Sequence, residues 1–353
     1  MWKWEWICWF VRLVSKDPEG RVRRFRRLVE RLSREGDIDG RWWGIFREIP
    51  KQAEPSALPL VPALPATGGD TAIVMQGPVI ERDDLTYETL QLYRRTMPHA
   101  KLILSTWTDT DEAIKRRIEG LGVDVVVSDP PEHPGPQNLN LQVVSTHRGI
   151  TEAKAAGCEF VMKTRADMRI HVSDADQFCR NMLEQFPITG DASQRQRILV
   201  TEFATRLYLP FHLSDILMFG TTDDLLEYWT PEMCGPEVHF EPSEDFGELL
   251  DQPIPEIVLC RRYLNDQTMT SDDLNRWWRL LANRFVVVDR DMLDLFWPKY
   301  NYNVEQRVTW SSGNMALCSF LQWFQLHHQQ PAPKATLEQL RRERTFAKTS
   351  LVP

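Results

Sequence analysis

Residues 160–170, FVMKTRADMRI, end an apolar run with charges at every second position: Lys163, Arg165 and Asp167, with Arg169 beyond. Residues two apart on an extended strand point the same way, so these three groups would share one face. Ionisable groups at the end of a buried strand are costly unless they meet a polar cleft or a charged ligand. A diphosphate leaving group is such a ligand. Two cations neutralise its charge as the bond to it breaks, and one carboxylate can hold a divalent ion or a sugar hydroxyl. The plainer alternative is a structural ion pair, Arg165 with Asp167 or with an acid elsewhere.

Other groups could join such a site. Gly77 in TAIVMQGP lets backbone approach a ligand closely and Pro78 stiffens the turn, although Gly-Pro after a strand is more often a plain turn. Asn138, Asn140, Gln142 and Arg148 offer amides and a guanidinium that could read a base or hold phosphate oxygens. They also fit a solvated helix start. No G-x-G-x-x-G, P-loop, H-E-x-x-H or G-x-S-x-G pattern occurs, which disfavours dinucleotide, P-loop, zinc-protease and serine-hydrolase chemistry. The six cysteines form no C-x-x-C pair, so a structural zinc or a disulfide framework is disfavoured and a reducing cytoplasm favoured.

Strands and helices alternate ahead of the charged segment. TAIVMQG, AKLILSTW, VDVVVSDP and EFVMKTRAD have the composition of buried strands. LTYETLQLYRRTM, DEAIKRRIEGLG and LQVVSTHRGITEAKAAG have helical spacing. That order predicts an α/β fold with a parallel sheet and ligands beyond the carboxyl ends of its strands. The chemistry would then sit at Gln76-Gly77-Pro78, Ser105-Thr106-Trp107, Asp129 and Arg165 to Asp167.

The chain has 353 residues, 42% hydrophobic and 26% charged, long enough for a large core. Four segments are expected: a Trp/Arg-rich amphipathic helical arm (1–49), a Pro/Ala-rich linker (50–69), a catalytic α/β domain (70–331) and a polar tail (332–353). The net charge of −8 combines +4 over residues 1–50 with −12 elsewhere, so bulk nucleic-acid binding is disfavoured. Six of the thirteen tryptophans and a run of arginines lie in the arm. Residues 1–36 therefore suit peripheral contact with an anionic membrane surface, or else helices packed on the body or on a partner subunit. The opening residues do not read as a secretory signal, and no apolar run approaches the ~18 residues of a membrane span.

IVMQGPVIERDDLTYETLQLYRRTMPHAKLILSTW, KTRADMRI and SDILMFGTTDDLLEYW, in that order over about residues 70–300, resemble the WavE-type lipopolysaccharide-synthesis family. The resemblance implies a glycosyltransferase with a GT-A-like (Rossmann-like) nucleotide-sugar-binding domain and a mixed, mostly parallel sheet. It implies that Gln76, Gly77, Pro78, Thr106 and Trp107 line a nucleotide pocket with Asp129 facing it. Arg165 and Asp167 then stand where such enzymes usually carry Asp-x-Asp. With Arg165 in place of the first acid, either Asp167 holds a divalent ion (Mn²⁺ or Mg²⁺) with the help of substrate phosphates, or no metal is needed. Lys163, Gln142 and Arg148 join the donor-side candidates.

An inverting transfer needs a base for the acceptor hydroxyl. Asp215, before a strand whose Phe219-Gly220 turn would border the acceptor side, is expected to line the acceptor cleft, and Glu256, at a helix start, to be the base. The acidic pair Glu244 and Asp245 fits solvated charge. The expected partners are a nucleotide-sugar donor and a saccharide or lipid-linked acceptor, with no nucleic acid, on the cytoplasmic side of the membrane. The competing expectation is a non-catalytic carbohydrate- or nucleotide-binding scaffold subunit.

Overall fold

The computed structural model describes residues 70–188, 194–235, 248, 250–266, 268, 273–297 and 317–328. The arm, the linker, Glu244, Asp245 and the polar tail lie outside the described residues.

Seven strands form one sheet: β1 (Thr71–Gln76), β2 (Lys101–Trp107), β3 (Asp124–Ser128), β4 (Phe160–Arg165), β6 (Ile198–Thr201), β7 (Met218–Thr221) and β8 (Phe285–Val288). Their order is β3-β2-β1-β4-β7-β6-β8. Parallel pairing joins β1 to β2 and β4, β2 to β3, and β6 to β8, while β7 runs antiparallel to both neighbours. The α/β architecture is thus mixed and mostly parallel. β5 (Arg169–Ile170) pairs with β9 (Leu295–Phe296) in a small second sheet.

The strand residues explain the layering. Every residue of β1 is buried, as expected of a near-continuous apolar run covered on both faces. On one face lies α3 (Leu139–Ala155), with Leu139, Val143, Ile150 and Ala153 buried at helical spacing. Gly149 lets it come close, since a Cβ there would collide with Val74 Cγ1 and lie 3.0 Å from Ser105 Cβ. α5 (Thr222–Tyr228) follows β7 alongside, starting from Thr221, whose hydroxyl caps Asp224 N–H. It leads towards α6 (Pro255–Leu264). On the other face are α1 (Leu85–Thr96) and α4 (Ala175–Gln185): Tyr93 accepts Ile170 N–H at 3.0 Å, and the Arg180 guanidinium covers the Phe160 ring at 4.2 Å. α2 (Glu112–Glu119) joins β2 to β3, capped by the Asp111 carboxylate on Ala113 and Ile114 N–H. α7 (Leu274–Arg284) runs straight into β8, and α8 (Phe320–His327) begins with a Ser319/Gln322 capping box.

These directions put the ends of β1, β2, β3, β4, β6 and β8 and the start of β7 on one rim. The connection from β6 to β7 follows that rim. It is buried from Glu202 to Leu217 except at Phe203, although it has no regular structure. Its carbonyls are met from α7, where Trp277 Nε1–H donates to Arg206 O at 3.1 Å and Trp278 Nε1–H to Leu207 O at 2.7 Å. Phe219 and Gly220 do not form the expected turn. They are strand residues of β7 opposite Met162 and Val161, away from the rim.

Candidate functional site

β1 is followed by its neighbour β2 on one side, while β4 returns to its other side, so the connections diverge between β1 and β4. In open α/β sheets ligands bind where the strand order reverses in this way. The register puts Gln76 beside both Arg165 and Ser105. Paired residues of a sheet share a face, so all three point to the side covered by α3. There Ser145 Oγ donates to Gln76 Oε1 at 2.8 Å, and Ser105 Oγ donates to the Ser145 carbonyl at 2.7 Å. One turn earlier on α3, the buried Gln142 Oε1 has no partner among the described residues.

Gly77 follows Gln76 with φ +113°, a backbone conformation L side chains rarely adopt, and nothing lies within 4 Å of where a Cβ would stand. Backbone and open space thus meet beside Arg165. Arg165 itself is bidentate on Asp167, through Nε to Oδ1 at 2.8 Å and Nη2 to Oδ2 at 3.0 Å. This pair stays 17% and 24% exposed, so it is not sealed in the core. The Arg165 guanidinium also lies 5.2 Å from the Trp297 ring centroid. A carboxylate that orients a guanidinium on one edge is a usual way to present the cation to an anionic ligand.

The model of the WavE lipopolysaccharide synthesis family matches residues 71–349. The chain belongs to that family. No curated protein matches it. Among solved structures it is similar to a cytidylyltransferase from Leptospira borgpetersenii (12% identity, TM-score 0.33, covering 76% of this chain and 99% of that one). It is also similar to 4-diphosphocytidyl-2C-methyl-D-erythritol synthase from Anaerococcus prevotii (12%, 0.32, 56% and 100%). A third is residues 1–349 of S. aureus TarS (12%, 0.30, 77% and 77%).

The remaining candidates of this WavE chain divide. Trp107 follows the alternation of β2 onto the α3 face with Ser105, whereas Thr106 points to the opposite face. Thr106 is fully buried, with its hydroxyl 3.1 Å from that of Thr110, so it does not share the side that carries Gln76 and Arg165. Pro78 is exposed at the rim. Asp129 is exposed too, accepting from Thr108 Oγ1 at 2.9 Å. It follows β3, three strands from β4 and so roughly 14 Å away across the sheet. Arg148 turns to solvent, 46% exposed and 3.6 Å from Glu152 one helical turn on. That position takes it off the sheet-facing side of α3, and it does not join the Arg165 group.

Lys163 shares its face with Arg165 as expected, but it is fully buried rather than open to a cleft. Its ammonium donates to the Asp215 carbonyl and lies 4.5 Å from the Trp229 ring centroid. Burial depresses it to about 7, with Asp215 opposing that shift and Arg165 adding to it. Asp215 is 5% exposed at the entry to β7. Glu256 is half-buried in the first turn of α6. Both carboxylates act on Tyr228, whose hydroxyl is held well above its ordinary value chiefly by burial and has no hydrogen-bond partner among the described residues. The two acids therefore belong to one neighbourhood.

Asp167 is the candidate for a divalent ion. Both oxygens of the carboxylate are engaged by Arg165, and no group of three or more His, Cys, Asp or Glu able to hold an ion occurs among the described residues.

Sequence reasoning missed Glu202, Phe203, Arg290 and Trp297, which occupy the same rim at the ends of β6, β8 and β9. Glu202 accepts Arg290 N–H at 2.6 Å, and Arg290 Nε lies 3.3 Å from its other oxygen. Burial raises Glu202 to about 7 against the opposing charge of Arg290, with Asp289 and Asp291 adding to the rise. The signal was present: RILVTEF and RFVVVDRD also end apolar strands in charge, as FVMKTRAD does.

Proposed function

We propose that this chain is a glycosyltransferase with a GT-A-like donor site. It would move a sugar from a nucleotide-sugar to a saccharide or lipid-linked acceptor in surface polysaccharide synthesis. The observation that carries the reading is the register pairing of Gln76 with Arg165 where the strand order reverses, with the open space at Gly77 beside them. The diphosphate of the donor lies along the Gln76–Gly77 backbone and meets the Arg165 guanidinium, which Asp167 orients. Trp107 and Gln142 border the same side, and the amide of Gln142 can answer polar atoms of the nucleoside. Lys163 adds positive charge from beneath. As the bond from the sugar to the diphosphate breaks, negative charge grows on the leaving group, where a fixed cation is most effective. No step requires a metal.

Membership of the WavE lipopolysaccharide synthesis family supports the acceptor class. No described helix is long and apolar enough to cross a membrane. Contact with the inner face of the cytoplasmic membrane through residues 1–36 belongs to the same proposal, and unchanged binding to anionic vesicles after their deletion would remove it.

The experiment is a thermal-shift panel of nucleotides and nucleotide-sugars, with and without Mn²⁺ or Mg²⁺, followed by a donor-breakdown assay on the ligands that bind. Ligands that bind the folded form raise its melting temperature. The reading expects shifts from nucleoside diphosphates and from one class of nucleotide-sugar, and breakdown that falls in Asp167→Asn. Binding with no breakdown by the wild type would make the chain a binding subunit instead.

A further inference from the structure

Glu202, Phe203, Arg290 and Trp297 form a second group on the rim, and the donor reading leaves it unused. It adjoins the Arg165 end of β4. The Trp297 ring lies between the Arg165 guanidinium, 5.2 Å from its centroid, and Phe203, edge-on at 5.4 Å. The Arg290 guanidinium lies 5.2 Å from the Phe203 centroid. Both rings are half-buried, so part of each stays at the surface. Flat aromatic surface flanked by cations suits the apolar face of a sugar ring, with its hydroxyls directed at charged groups.

Two features hold Glu202 in place. Its amide donates to the Val288 carbonyl at 2.9 Å, continuing the pairing of β6 with β8, and Arg290 holds its carboxylate through both backbone and guanidinium. Next to it the backbone is strained: Ala204 has φ +69° and Phe211, in the same connection, φ +64°. Neither is a glycine, and such outliers persist where the surroundings over-determine them, most often at functional sites. The His212 ring closes this loop, with Nδ1 2.6 Å from the Ala204 carbonyl. Burial lowers His212 to about 3, which leaves the imidazole neutral and Nδ1–H the donor.

We propose that the acceptor saccharide binds between the ends of β4, β6 and β8 with a sugar face against Trp297 and Phe203, and that Glu202 takes the proton of the attacking hydroxyl. The proposal rests on the glycosyl-transfer reading and moves the base from Glu256 to Glu202. In the step, the acceptor oxygen forms its bond to the anomeric carbon while that carbon's bond to the diphosphate oxygen breaks. The electron pair leaves with the diphosphate towards Arg165, and the hydroxyl proton passes to the Glu202 carboxylate. A carboxyl group that titrates near neutrality is well matched to this task.

The test compares Glu202→Gln, Glu202→Asp, Asp215→Asn, Glu256→Gln and Trp297→Leu with the wild type. A panel of UDP-, GDP- and ADP-sugars serves as donors and purified core lipopolysaccharide as acceptor, with UDP, GDP and ADP affinities measured in parallel. Glu202→Gln keeps the packing and can still accept Arg290 N–H. It is expected to bind nucleotide within about twofold of the wild type and to transfer about 100-fold more slowly or worse. The wild-type rate climbs as pH rises through about 7, where Glu202 loses its proton, and that climb disappears in Glu202→Gln. Trp297→Leu is expected to raise the acceptor KM with less effect on kcat.

Undiminished transfer by Glu202→Gln, a loss of nucleotide binding in step with transfer, or a 100-fold loss confined to Glu256→Gln or Asp215→Asn would each overturn the assignment. No transfer by the wild type from any donor would overturn the glycosyl-transfer reading itself, and this proposal with it.

Discussion

Replacing Lys163 with methionine should stabilise the protein at neutral pH. The ammonium is fully buried, with one backbone carbonyl and the Trp229 ring as its close partners, and it titrates at about 7 instead of 10.5. Between those values the unfolded chain binds a proton that the folded chain does not, so stability rises with pH across the window. It is lost as pH falls from 10.5 towards 7, below which stability no longer changes through this group. A difference of about 3.5 units corresponds to ~5 kcal/mol at pH 7 and below. Methionine fills a similar volume and removes that cost, but it leaves the Asp215 carbonyl without its donor, a loss of about 1–3 kcal/mol. Lys163→Met is thus expected to be about 2–4 kcal/mol more stable than the wild type at pH 7, and the gap should narrow by about 1.4 kcal/mol per pH unit towards pH 10.

Urea unfolding of both proteins at pH 7, 8 and 9 measures the gap and its slope together. A methionine variant less stable at pH 7, or a gap independent of pH, would refute the claim that Lys163 is held as a costly buried cation. The stabilised variant should also bind nucleoside diphosphates more weakly, because it loses positive charge beneath Arg165. Stability given up for a charged group near a site is a common pattern.

Two glycine substitutions test the frame that positions the site. Gly149→Ala drives a Cβ into Val74 and Ser105, so it should lower stability by about 1–3 kcal/mol in urea unfolding through overpacking. A wild-type transition would mean that α3 sits further from β1. Gly77→Ala meets no atom within 4 Å, yet it is strained at φ +113°. It should cost about 1–3 kcal/mol and weaken nucleotide binding besides, and unchanged stability would show that the turn takes another conformation.

The first half of the fold was legible because its elements are local and strongly patterned. β1 to β4 are apolar runs ending in Gly, Trp, Asp or charge, and α3 repeats its buried residues at helical spacing. The charged end of β4 pointed to Arg165 and Asp167 for the same reason. Elsewhere the physics is not local. Lys163 looks like a ligand contact because strand alternation aligns it with Arg165, but only the packing of Trp229 and Asp215 around it shows that it is sealed. Thr106 and Trp107 are adjacent in sequence, and one pleat sends them to opposite faces.

Phe219-Gly220 resembles a turn, yet it forms a short antiparallel strand. Glu202 is far in sequence from Arg290 and Trp297, and the pairing of β6 with β8 and of β5 with β9 brings them to one rim. The charges that end β6 and β8 are the same kind of signal as the end of β4, but a weaker one, because the strands are shorter and the charges do not alternate along one face.

Calorimetric titration of nucleoside diphosphates into the wild type, Arg165→Lys and Arg165→Gln tests the donor site most directly. A charge-assisted hydrogen bond contributes about 1.5–3 kcal/mol, so Arg165→Gln should bind about 10- to 100-fold more weakly, with Arg165→Lys between the two. Equal affinity in all three proteins, or no nucleoside diphosphate binding by the wild type, would contradict a diphosphate site at the junction of β1 and β4.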